Sequence, residues 1–237
     1  MIIPIGIAFL ACAVLYVCRH QAIRALEKPV NLLFHYFYYR DGEKTWTKTN
    51  WLGVPLMKLP LDMWRYNDIL WETRPDLIVE TGTFRGGSAL YLANLCDLMG
   101  NGRIVTVDLS RQPEGVPEHP RIQYVLGSST DAAIFDHVKR QIQPGERVMV
   151  ILDSDHSCSH VRKELSLYAP LVTEGCYLVV EDTNVNGHPV SRSHGPGPME
   201  AMRDFLSTPR GFQTDVALEE RYKCTFFPGG WLKRTSA

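Results

Sequence analysis

Asp76-Leu-Ile-Val-Glu80-Thr-Gly82-Thr83-Phe-Arg-Gly86-Gly87-Ser88 is a short apolar run that ends in an acid and passes through a glycine turn into a helical pattern. Leu77 to Val79 suit a strand buried on both faces of a parallel sheet. Glu80 ends it, and Gly82, Gly86 and Gly87 let the backbone approach a ligand that side chains would block. A dinucleotide loop reads G-x-G-x-x-G and seats a pyrophosphate on a helix N-terminus. This chain has E-x-G-x-x-x-G instead, with Thr83 and Ser88 as the polar residues of the loop, and Glu80 would set a negative charge against any phosphate. A ligand without phosphate and with positive charge suits it better, and S-adenosylmethionine, with its amino group and sulfonium, has that chemistry. The alternative is a glycine-rich turn that binds nothing.

Arg103-Ile-Val-Thr-Val-Asp108 is a second buried-type strand ending in an acid, one helix and one loop further on. An acid at that strand end in a doubly wound sheet hydrogen-bonds ribose hydroxyls, although Asp108 would also serve as a plain turn residue. Arg121 to Leu126 reads as a third strand, after which Gly127, Ser128 and Ser129 are small enough to line an adenine pocket.

The chemistry is expected at the ends of two later strands. Arg147-Val-Met-Val-Ile-Leu-Asp153 is followed by Ser154-Asp155-His156, a helix from about Ser159 to Leu171 and a stop at Gly175. Cys176-Tyr-Leu-Val-Val180 then ends in Glu181-Asp182. Neighbouring strands lie about 5 Å apart, so Asp153, Glu181 and Asp182 can converge, and three carboxylates in one crevice call for a cation. Oxygen donors with open positions suit Mg²⁺ or a similar hard ion, which would bind an acceptor hydroxyl and lower its pKa. His156, three residues after Asp153, is placed to take the hydroxyl proton. Turn and capping roles for these acids, and a plain loop histidine, are the alternatives.

Length and charge bound the rest. The chain has 237 residues and a formal net charge of −1, with no basic stripe interleaved with aromatics, so nucleic acid is not expected as a partner. Six cysteines lack metal spacing and read as reduced. Residues 2–18 carry no charge and are followed by Arg19, His20, Arg24 and Lys28, a pattern expected of a single-pass membrane anchor with the catalytic domain in the cytoplasm; a buried core helix is the alternative. On this basis residues 1–19 form the anchor, 20–62 an aromatic-rich linker and N-terminal flap, and 63–237 the catalytic domain. The stretch from Asn184 to Pro198 is irregular and long enough for a lid, with His188, Arg192 and His194 as candidate sugar contacts. Lys223 to Lys233 resembles a terminal hairpin.

Lys58-x-Pro60-x-Asp62, Arg74-Pro-Asp-Leu-Ile-Val-Glu80, Gly86-Gly-Ser88, His119-Pro-Arg121-Ile, Gly127-Ser-Ser129 and Val180-Glu-Asp182 together resemble the cephalosporin hydroxylase/rhamnosyl O-methyltransferase family over roughly residues 50–235. The resemblance implies an α/β, Rossmann-like class I methyltransferase with a central, mostly parallel seven-stranded sheet flanked by helices, here preceded by an N-terminal hydrophobic helix. It also implies S-adenosylmethionine and a magnesium site, which falls on Asp153, Glu181 and Asp182. The layout is similar to catechol O-methyltransferase, where a lysine takes the position of His156. Hydroxylation is excluded, because no histidine here is followed two residues later by Asp or Glu, as an iron oxygenase triad requires. The expected function is metal-assisted O-methyl transfer to a hydroxyl of a sugar, glycolipid or other small molecule, with the oligomeric state open, a homo-oligomer included. A non-catalytic tethered cofactor-binding protein and a nicotinamide oxidoreductase are the alternatives.

Overall fold

Strand residues of this chain alternate between two apolar faces, and that alternation builds the molecule. The computed structural model describes residues 16, 18, 19, 21, 25–40, 44–110 and 115–235. Its main sheet has seven strands in the order β5-β4-β3-β6-β7-β9-β8. β3 (Leu77–Thr81), β4 (Arg103–Asp108), β5 (Ile122–Leu126), β6 (Val148–Leu152) and β7 (Tyr177–Val180) run parallel, while β9 (Trp231–Arg234) pairs antiparallel with both β7 and β8 (Phe212–Thr214).

Val79, Val105, Val150 and Leu178 point to one side, where they pack with Val161 and Leu165 of α5 (Cys158–Tyr168) and Met202 of α6 (Pro198–Leu206). Ile78, Ile104, Met149 and Val179 point to the other, against Ile69 and Leu70 of α2 (Pro60–Thr73) and Leu92 of α3 (Gly87–Met99). Helices cover both faces of the central strands, so β3 and β6 are buried along their whole length, and each fully buried branched side chain contributes on the order of 1.5–3 kcal/mol. α4 (Ala132–Arg140) starts at Asp131, whose carboxylate accepts from the amides of Ala133 and Ile134. This is the mostly parallel, Rossmann-like sheet the sequence predicts.

Before the sheet, a helical stretch α1 (25–35) runs into a π-helical turn, Tyr36–Arg40. A two-stranded hairpin follows, β1 (Asn50–Trp51) with β2 (Val54–Pro55). It is docked on α3, where the Trp51 indole N–H donates to Asn94 at 2.8 Å and the ring stands edge-on to Tyr91.

Three expectations need correction. Lys223 to Lys233 is not a hairpin, because β9 pairs antiparallel with β7 and β8, both of which lie before Lys223, with α7 (Val216–Arg221) between β8 and β9. The helix after β6 ends well before Gly175, which sits in the turn entering β7 with φ +80° and donates its amide to Arg234. The single-pass anchor, and the cytoplasmic placement derived from it, are not supported, since no helix among the described residues is long and apolar enough to cross a membrane. Apart from Tyr16 and Cys18, residues 2–18 lie outside the described residues.

Candidate functional site

Parallel register aligns the ends of four strands. Thr81 pairs with Val107 and Leu152, and Leu152 with Val180. Gly82, Asp108, Asp153 and Glu181 therefore follow at one edge of the sheet. β3 is the point where the chain's strand order reverses, with β4 on one side and β6 on the other, and such a switch point opens a crevice at the carboxyl ends. A cavity of about 590 Å³ lies there. Gly82, Thr83, Gly87, Ser88, Asp108, Ser128 and Ser129 line it, as do Asp153, His156, Glu181 and Asp182.

Asp108 organises the glycine loop. Its Oδ2 accepts the amides of Thr83 and Phe84 at 3.0 and 2.8 Å, and its Oδ1 accepts the Ser110 amide at 3.3 Å. Oδ1 thus keeps lone pairs for a hydroxyl donor in the cavity. Ser129 is more heavily engaged, since its hydroxyl donates to Glu164 at 2.6 Å and lies 3.1 Å from His160 Nε2.

Two of the sequence-predicted cofactor residues, Glu80 and Gly86, are absent from the cavity wall. Glu80 is fully buried and accepts from the Ser88 and Thr106 hydroxyls, and the acids that line the cavity are Asp108, Asp153, Asp155, Glu181 and Asp182. The glycines also have protein neighbours that explain them. A Cβ on Gly82 would lie 1.9 Å from the Asp153 carbonyl oxygen, and one on Gly87 would lie 2.2 Å from that of Pro55, in the docked hairpin. Gly86, with φ +78°, faces Pro117 and Tyr124. Close packing restricts all three positions, and Gly82 and Gly87 also line the cavity.

Burial pushes the Glu80 carboxyl up to about 7 against the opposing pull of Lys58 and its two hydroxyl donors. Below pH 4.5 the group is protonated in folded and unfolded chains alike. Between there and about 7 only the unfolded chain ionises, so the folded state loses stability as pH rises, and above 7 the penalty is constant. Glu80→Gln is therefore expected to gain on the order of 2–3 kcal/mol relative to wild type between pH 4.5 and pH 8. Urea unfolding at the two pH values checks this, and a pH-independent difference would refute it.

The acids at β6 and β7 are divided between two roles. Lys58, in the bend between the hairpin and α2, is buried between them, with its Nζ 2.5 Å from both Asp153 Oδ2 and Glu181 Oε2. Tyr66 of α2 donates its hydroxyl to Glu181 Oε1 at 2.5 Å. Burial works against the Lys58 charge, but Asp153, Glu181 and Glu80 outweigh it and hold the ammonium protonated. Both oxygens of Glu181 are thus engaged by the protein. The ligand atoms that converge are those of Asp153, His156 and Asp182, which all lie within 4.8 Å of one another and could hold a metal ion. His156 Nε2 stands 3.4 Å from Asp182 Oδ2 and 4.0 Å from Asp153 Oδ1. Burial, then the charge of Asp153, raises Glu181 well above the usual carboxylate range, and burial also raises Asp182, with His156 opposing it. One lysine does not offset these carboxylates, and two oxygen donors beside an imidazole nitrogen fit a divalent cation.

The remaining candidates separate cleanly. Asp155 accepts the Ser157 amide at 2.7 Å, ahead of α5. His188 lies 2.8 Å from Glu200, away from the cavity wall, whereas His194 lines it. Sequence reasoning missed Lys58 and Tyr66 as site residues. A lone lysine inside Leu56-Met-Lys-Leu-Pro-Leu61 was the available signal, because a charge in such a run is buried only when paired. The five cysteines among the described residues are free thiols.

Comparison with known proteins identifies the family and the fold. The family model described as Rhamnosyl O-methyltransferase/CmcI matches residues 43–235. A rhamnosyl O-methyltransferase of Mycobacterium bovis (strain BCG / Pasteur 1173P2) is 42% identical over 208 residues, covering 85% of this chain and 83% of that protein. One from Mycobacterium leprae (strain TN) is 39% identical over 206 residues, covering 85% and 89%. Among solved structures, apo CmcI-N160 superposes with a TM-score of 0.61 at 23% identity, covering 81% of this chain and 78% of that one. CmcI-D160 with Mg and S-adenosylmethionine gives 0.59 at 21% identity, covering 80% and 78%. These two share the fold, and the mycobacterial relatives share sequence along most of both chains, so the chain belongs to the rhamnosyl O-methyltransferase/CmcI family.

Proposed function

We propose that this S-adenosylmethionine-dependent O-methyltransferase methylates a hydroxyl of a sugar, a rhamnosyl glycoside in the first instance, with a divalent cation bound at Asp153 and Asp182. The observation that carries the proposal is one cavity joining two sets of residues: Thr83, Asp108 and Ser128 at the tips of β3 to β5, and Asp153, His156 and Asp182 at those of β6 and β7. When bound, the donor supplies an electrophilic methyl on a sulfonium and the cation lowers the pKa of the acceptor hydroxyl.

The protein's own share is placement and proton handling. Asp108 offers Oδ1 to hydroxyl donors while its other oxygen fixes the loop amides. Asp153 and Asp182 face the cavity with side chains 22% and 28% exposed, enough to accept a ligand. His156, 30% exposed beside them, takes the hydroxyl proton. Lys58 and Tyr66 hold Glu181 and keep the floor of the site from opening by charge repulsion. Positioning of this kind lowers the barrier by removing the entropy of bringing donor and acceptor together.

The test is transfer of labelled methyl from S-adenosylmethionine to methyl rhamnopyranoside and to catechol, with and without a chelator. Label on the glycoside, lost on chelation and restored by Mg²⁺, is the expected result. Donor binding without transfer to any hydroxyl would favour a non-catalytic binding protein instead.

A further inference from the structure

Part of the cavity wall is aromatic and comes from outside the sheet. Tyr39, on the π-helical turn, and Trp46, on the following 3-10 helix Thr45–Lys48, both line the cavity. Their rings stack with centroids 5.1 Å apart and planes within 9° of parallel. Tyr39 is braced edge-on by Phe226 at 5.5 Å and bonded by the Ser191 side chain, and it lies close enough to Asp182 to feel its charge. Tyr39 therefore stands near Asp182 at the β7 tip, in the same cavity that Asp108 and Ser128 line. One polar atom there is left over. The indole Nε1 of Trp46 is buried and has no hydrogen-bond partner among the described residues. An indole N–H only donates, and a buried donor left unmade is destabilising.

We propose that Tyr39 and Trp46 are the acceptor-recognition wall, holding a pyranoside with a C–H face against the aromatic pair and one of its oxygens accepting from Trp46 Nε1–H. This rests on the sugar-hydroxyl function proposed above. A planar phenol would satisfy the stacking but brings only the hydroxyls that the acid cluster uses. A pyranoside carries ring, glycosidic and neighbouring hydroxyl oxygens around its whole rim, so one can reach the indole while another meets Asp153 and Asp182. Tyr39 lies before the stretch matched by the family model, residues 43–235, so half of this wall is contributed by the chain's own N-terminal segment.

The experiment uses the full-length protein with Mg²⁺ and compares wild type with Trp46→Phe, which keeps a ring and removes the donor. KM for methyl rhamnopyranoside is expected to rise about tenfold, the usual effect of losing one buried hydrogen bond, with the Kd for S-adenosylmethionine unchanged. In a monodeoxy glycoside series on the wild-type enzyme, one position should lose about tenfold in affinity, and that loss should vanish in Trp46→Phe. The wild-type series keeps the test decisive even where the variant folds poorly. Equal KM for both enzymes on the glycoside overturns the wall and leaves the sugar function standing, as does a deoxy series with no sensitive position. Binding and methylation of catechol but of no glycoside overturns the sugar function and the wall with it. A parallel rise in the donor Kd marks Trp46 as structural and overturns the assignment.

Discussion

Asp182→Asn is expected to reduce kcat by about 10³-fold, on the scale of losing one principal electrostatic contact to the reacting group, and to shift the Mg²⁺ concentration needed for half-maximal rate upward by at least about tenfold. Asn matches Asp in size but carries no charge. The site holds Asp153, Glu181 and Asp182 against the single ammonium of Lys58, so the wild-type cluster attracts a divalent ion and the variant does so less. Glu181→Gln separates the geometry from the sequence expectation. Both Glu181 oxygens are already engaged, by Tyr66 and Lys58, so the Mg²⁺ titration of this variant should stay near that of wild type. A Mg²⁺ shift as large in Glu181→Gln as in Asp182→Asn would return Glu181 to the ligand set. Full wild-type activity after stripping with chelator would remove the metal role altogether.

The parts of this molecule that repeat a pattern were readable in advance. The strand from Arg103 to Asp108 was bounded to the residue, because a run of branched apolar side chains ending in an acid has few other structures open to it. The convergence of Asp153 with Glu181-Asp182 followed from strand spacing alone. What the pattern hid was direction. Glu80 alternates inward, away from the crevice, and finds Ser88 and Thr106. Glu181 and Asp182 are adjacent, yet Asp182 adopts φ +53°, and the two carboxylates face different partners. A positive φ at a non-glycine residue is costly and has no local sequence signature. The contacts of Gly82 and Gly87 are equally invisible, since each depends on a segment far off in sequence, Asp153 in one case and Pro55 in the other.

Lys58 shows why the N-terminal flap is part of the site. The hairpin that precedes it is fixed to α3 through Trp51 and Asn94 and through the close passage of Pro55 over Gly87. Its amide is tied to the Thr49 hydroxyl. A buried lysine between two acids is held only if all three are placed together, because any one left alone would be an uncompensated charge in the interior. The acid cluster thereby ties flap, α2 and sheet into one unit. Local reading of the K-x-P-x-D stretch names the residues but not the carboxylates 95 and 123 positions away that they meet.

His156→Gln is the second substitution with a large expected effect, a fall in kcat of about 10²- to 10⁴-fold, the range for removing a general base. The geometry admits two roles for the imidazole, and the variant distinguishes them. His156 Nε2 lies within reach of both acids that would hold a cation, so a ligand role predicts weakened Mg²⁺ binding and a rate that recovers as Mg²⁺ is raised. A base role predicts that kcat stays low at saturating Mg²⁺, because the glutamine amide has no lone pair basic enough to take the hydroxyl proton. We expect the second outcome. The two carboxylates Asp153 and Asp182 already supply the charge that a hard cation prefers, and an imidazole adds less to such a site than an oxygen does. An acceptor whose hydroxyl is more acidic should then lose less rate in His156→Gln than a simple glycoside, since it has less need of a base. Recovery to within a factor of about two of the wild-type rate on raising Mg²⁺ would assign His156 to the metal and leave the proton to solvent.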